Sequence, residues 1–184
     1  ILEECQNLKI ISRHGVGYDN LDVNFLNKNN IALGILTADC APVFVYDKKL
    51  KIIGAAHAGW KGAYKGIIKK LIVSIKKEGS NTKNIIAAIG PCISKKNYEV
   101  KDDFVKKFLN KNKKNKIFFD FNKKNIRFDL SLYIKHQLMN MGIQRIEVIK
   151  KDTYTRKNNF FSSRRSFKKK FNDYGRNISL IMIK

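Results

Sequence analysis

Cysteine is scarce in this chain. Cys5, Cys40 and Cys92 are the only three in 184 residues, odd in number and far apart. That pattern excludes a disulfide framework and leads us to expect a reducing, cytoplasmic setting. Long apolar runs are missing too, and nothing approaches the roughly 20 residues that a helix needs to cross a bilayer. The N-terminus, Ile1-Leu2-Glu3-Glu4-Cys5, lacks the basic-then-apolar pattern of a signal peptide, and it does not begin with Met, as a fragment would not. Repeats and flexible linkers are absent, so one folded domain is expected, and 43% hydrophobic residues suffice for its core. Acid is in short supply: 15 Asp and Glu stand against 38 Lys and Arg, giving a net charge of +23.

Such a charge favours anionic partners. The excess is mostly Lys, however, and it comes with abundant Asn, Ile and Phe, the bias of an AT-rich genome. Runs such as Lys111-Asn112-Lys113-Lys114-Asn115 read as solvated loops. Neither a specific nucleic-acid partner nor a membrane is expected, and the oligomeric state is not legible.

What stands out is Cys40 and His57, set in Thr37-Ala38-Asp39-Cys40-Ala41-Pro42-Val43 and His57-Ala58-Gly59-Trp60-Lys61-Gly62. Thiol and imidazole are suited to binding a borderline-soft metal or to forming a nucleophile–base pair. Their spacing fits strand, turn, strand: Val43–Tyr46, a turn at Asp47-Lys48-Lys49, then Ile52–Ala56. Gly59 and Gly62 permit close backbone approach, and a helix beginning near Gly62 offers N–H groups to an anion such as phosphate. The plainer alternative, a core thiol and a packed imidazole, stays open.

Further along, Ala63 to Ile75 carries helical spacing, and Asn84–Ile89 reads as a buried strand. Asp102–Leu109 is an amphipathic helix, and Lys116–Phe121 pairs as a strand with Asn125–Phe128. Asp129 caps a helix that Gly142 stops, with His136 on its polar side. Arg145–Ile149 and Asn177–Ile183 are closing strands. The mixture favours a layered α+β fold.

The ordered blocks resemble the YfiH or laccase-domain family, also called polyphenol oxidase-like and purine nucleoside phosphorylase. They run from Ile31–Pro42 through His57–Gly62, Ile89–Ile93, Tyr98-Glu99-Val100, Phe128-Asp129-Leu130 and Asp152-Thr153-Tyr154 to Phe160–Arg165 and Tyr174-Gly175-Arg176. The resemblance implies a four-layer α/β/β/α fold with mixed sheets and a site of two His and one Cys for Zn2+ or Cu2+. It also implies an enzyme that cleaves adenosine, inosine or methylthioadenosine with phosphate and deaminates adenosine. On this chain Cys40 and His57 match two metal ligands and are the catalytic candidates. Gly59, Gly62, Arg164 and Arg165 are candidates for holding substrate and phosphate.

The pattern is incomplete at one end. The third ligand belongs in an upstream block that is lacking here, so the fold is expected to be N-terminally truncated, with its domain over residues 24–184. Residues 1–23 read as a segment rather than an independent domain, because Leu8–Val23 resembles a short piece of the D-2-hydroxyacid dehydrogenases. Asn20 stands where a GxGxxG fingerprint needs its third glycine, so no dinucleotide site is expected. His14 is the one histidine upstream of Cys40. With it the site has three donors; without it the site has two and binds metal weakly, the outcome its dehydrogenase-like surroundings favour. Two other readings remain: a metal-free Cys–His hydrolase or deamidase, and a nucleic-acid module built on the cations and aromatics of Arg164–Phe171.

Overall fold

A computed structural model describes residues 10–13, 32–122 and 125–183 of the chain, with backbone alone for 10–13. The strands are β1 (Ile10–Arg13), β2 (Ala32–Thr37), β3 (Ala41–Asp47), β4 (Ile52–Ala58), β5 (Ile85–Ile89), β6 (Glu99–Val100), β7 (Phe119–Phe121), β8 (Ile126–Phe128), β9 (Arg145–Val148) and β10 (Asn177–Ile181). The α-helices are α1 (Trp60–Lys65), α2 (Ile67–Lys77), α3 (Asp102–Lys111), α4 (Leu130–Asn140) and α5 (Ser163–Lys168).

β3 is buried along almost its whole length because both of its faces are covered. It sits inside a sheet ordered β4-β3-β5-β9, antiparallel except for the parallel β5–β9 pair. One face receives Ile68, Leu71 and Ile72 of α2 with Leu130, Ile134 and Leu138 of α4. On the other, Phe44, Ile53 and Ala55 pack against Leu33 and Ile35 of β2. β2 belongs to a second mixed sheet, β1-β2-β10, parallel to β1 and antiparallel to β10. Mixed sheets packed face to face with helices outside are the expected architecture, and the described residues supply its α/β/β layers. A third sheet, β6-β8-β7, is joined to α3 by an aromatic cluster in which Phe108 lies 4.7 Å from Phe104 and 4.9 Å from Phe128.

Local chemistry explains the turns. The Asp47 carboxylate is fully buried and accepts from Lys49 N at 2.8 Å and Leu50 N at 3.0 Å, closing the β3–β4 hairpin. Asp129 caps α4 by accepting from Leu132 N at 2.9 Å.

Four details differ from the sequence reading. The first helix is two helices, because Gly66 takes φ +93° and ends α1 just where α2 starts. Lys113–Phe118 is a 3-10 helix and only Phe119–Phe121 is strand. Asn112 accepts from Lys114 N, and Asn115 Nδ2 donates to Phe108 O at 2.8 Å, so the chain coils against the end of α3. α5 was not anticipated at all. His136 is half-buried rather than solvent-facing, its ring 5.3 Å from that of Phe118.

Candidate functional site

The β3–β4 register pairs Pro42 with His57 and Ala41 with Ala58. Cys40, just before β3, therefore faces Gly59, just after β4, and the two candidate donors are diagonal neighbours at one end of the hairpin. The fit is close: a Cβ on Gly59 would stand 2.7 Å from the Cys40 sulfur. Glycine leaves that side of the thiol open. Burial first, and the neighbouring Asp39 carboxylate second, push the Cys40 thiol up to about 11. Cys92 lies close behind, buried and raised to about 12 by the same desolvation, aided by the carboxylates of Asp129 and Asp152.

Asp39 organises the surroundings. It is buried, has φ +80°, and gathers four donors on its carboxylate. Thr153 Oγ1 donates at 2.8 Å, Ser162 Oγ at 3.0 Å, Ser163 Oγ at 3.1 Å and Arg164 N at 2.7 Å. α5 is thus capped by its own Ser162, which accepts from Arg165 N, and, from across the fold, by Asp39, which accepts from Arg164 N. This role was missed from the sequence, where Asp39 figured only as the residue preceding the cysteine.

The two arginines part company. Arg164 NH1 donates to Glu99 O at 2.7 Å, and its guanidinium lies 4.9 Å from the centre of the Tyr98 ring. It reaches a cavity of ≈ 880 Å³ that Trp60, Tyr98, Phe104 and Lys107 also line. Arg165 turns inward and donates to Thr153 O at 2.9 Å, Tyr154 O at 2.7 Å and Phe160 O. Those bonds hold its own loop, so this guanidinium is not laid out for phosphate. Gly59 is the N-cap of α1, whereas Gly62 lies buried inside that helix, past its start at Trp60. Trp60 and Tyr98 escaped the sequence reading as cavity walls, although both fall within its motif blocks. Burial raises the Tyr98 phenol above its ordinary value, and nearby Cys40 adds to the rise.

Thiol plus imidazole is a suitable donor set for zinc or copper, and the bare Gly59 leaves the sulfur approachable. Among the described residues no group of three His, Cys, Asp or Glu could hold a metal ion. His14, and the proposed boundary between residues 23 and 24, lie outside the described residues.

The family model described as multi-copper polyphenol oxidoreductase laccase matches residues 4–184. The chain belongs to this family. A purine nucleoside phosphorylase of Rickettsia conorii is 40% identical over 148 residues, covering 79% of this chain and 61% of the relative. One from Rickettsia prowazekii is 36% identical over 171 residues, covering 91% and 70%. Among solved structures, a Bacillus licheniformis hypothetical protein YfiH superposes with a TM-score of 0.74 at 35% identity, covering 84% of this chain and 58% of that one. The family member described here therefore spans 61% of its Rickettsia conorii relative's length. No helix among the described residues is long and apolar enough to cross a membrane.

Proposed function

We propose that this chain processes purine nucleosides, cleaving the N-glycosidic bond with phosphate, at the site built around Cys40, His57 and Arg164. The observation that carries the reading is the diagonal placement of a thiol and an imidazole at one end of the β3–β4 hairpin, the imidazole three residues before Trp60, which with Tyr98 and Phe104 walls the cavity. The names borne by the relatives support it. Aromatic walls suit a purine ring, and the Arg164 guanidinium at the cavity edge suits phosphate or a ribose hydroxyl. In the reaction, a phosphate oxygen forms a bond to C1′ of the ribose as the bond from C1′ to N9 of the base breaks. The purine leaves with the bonding electrons and takes up a proton.

Cys40 and His57 would hold zinc or copper. Such an ion, when bound, supplies Lewis acidity or an activated water, the latter serving deamination of adenosine. His14 is the candidate third protein donor in this sequence, and solvent is the other source. With two protein donors the ion is held weakly, so turnover depends on added metal.

The metal-free alternative has Cys40 attacking as a thiolate with His57 as its base. A thiol pushed up to about 11 is almost wholly protonated at neutral pH, which counts against that reading.

The assay is release of adenine or hypoxanthine from adenosine or inosine. It should require phosphate, rise with added zinc or copper, and vanish in Cys40→Ser. A folded, metal-loaded sample that releases no base would sink the proposal for this chain.

A further inference from the structure

Asp39 takes no part in the chemistry proposed above, yet much of the geometry around Cys40 converges on it. Its φ of +80° is a backbone region that side chains other than glycine's enter at a cost, and it persists only where the surroundings enforce it. Here the enforcement is visible. One buried carboxylate holds the hydroxyls of Thr153, Ser162 and Ser163 and the backbone N–H of Arg164, while the Asp39 carbonyl accepts from Ile93 N at 3.0 Å. The next residue in one direction is Cys40. The residue bonded through its backbone in the other is Arg164, whose side chain lies on Tyr98 at the cavity edge.

We infer that Asp39 is a positioning residue, which through this bond set fixes the Cys40 thiol and the Arg164 guanidinium relative to one another. The inference rests on the reading of Cys40 and Arg164 as parts of one site. Asp47 provides the contrast within the same protein. It is another buried carboxylate with several donors, Lys49 N, Leu50 N and Ser80 Oγ, but these serve a hairpin turn at the other end of β3. Both carboxylates stabilise the fold, and only the first is tied to the site.

The experiment follows iodoacetamide labelling of Cys40 in metal-free protein, located by mass spectrometry, alongside zinc affinity. It compares the wild type with Asp39→Asn, Thr153→Val and Asp47→Asn. Asp39→Asn is expected to raise labelling and weaken zinc about tenfold, the effect typical of losing a residue that orients a ligand. Thr153→Val, which removes one bond and keeps the charge, should shift both in the same direction by less. Asp47→Asn should leave both unchanged while lowering thermal stability. Unchanged labelling and zinc affinity in folded Asp39→Asn, or a rise in Asp47→Asn as large as in Asp39→Asn, would overturn the inference. If Asp39→Asn does not fold, Thr153→Val decides alone. None of these readouts uses a nucleoside, so failure to cleave one would count against the proposed function and not against this role.

Discussion

At the residue scale, Cys40 is shielded on most sides and bare on one, where Gly59 has no side chain to offer. A free thiol in such a place is poorly ionised, and its raised value has a direct consequence for reactivity. Only the thiolate attacks an alkylating reagent, so labelling of metal-free Cys40 should be slow near neutral pH. The rate should climb with rising pH and level off only near the value of about 11. An exposed cysteine would level off near its ordinary 8.5. A pH profile of iodoacetamide labelling distinguishes the two, and a plateau below pH 9 would contradict the burial seen here. Bound metal replaces the thiol proton, so metal binding should release protons and tighten as pH rises.

Among the elements, the break between α1 and α2 is set by one residue. Gly66 adopts φ +93°, its N–H donates to Ala63 O at 3.3 Å, and its carbonyl receives Lys70 N at 3.0 Å. It closes one helix and opens the next. A Cβ there meets nothing within 4 Å, so the penalty of Gly66→Ala is conformational rather than steric. We expect a loss of about 1 kcal/mol in urea unfolding, with no change at Cys40. The same elements show what the sequence made legible. β3, β4 and α2 were readable because their apolar patterns answer to a local period, and Asp129 because its cap closes three residues on. α5 was not, because Ser163–Lys168 has no apolar stripe and part of its cap comes from Asp39, 125 positions away from Arg164. The 3-10 turn over Lys113–Phe118 was hidden for a similar reason: Asn115 earns its place through a bond to the end of α3 that strand propensity does not register. At the site, Cys40 and His57 were legible as residue types in glycine-containing contexts. The inward turn of Arg165 was not, since two adjacent arginines look alike until carbonyls are in place around one of them.

Considered as a whole molecule, the chain carries a net charge of +23, with 38 Lys and Arg against 15 Asp and Glu. Among the described residues a single ion pair forms, between Arg176 and Asp173. The molecule should therefore adhere to any polyanion at low salt. Binding to a mixed-sequence RNA, followed by fluorescence anisotropy, should weaken steeply and disappear near physiological ionic strength, with no preference among sequences. Sequence-selective binding that survives such salt would revive the nucleic-acid reading of Arg164–Phe171.

The donors that meet on Asp39 also carry a consequence for the order in which the protein comes into being. Thr153, Ser162, Ser163 and Arg164 are synthesised long after Cys40, and β10, which pairs Asn177 with Thr37 at the end of β2, later still. On the ribosome, the β3–β4 hairpin is available to form while every one of these partners is still unmade. The thiol is thus born without its enclosure and waits, open to oxidants and stray metals, until residues 153–164 and then β10 emerge.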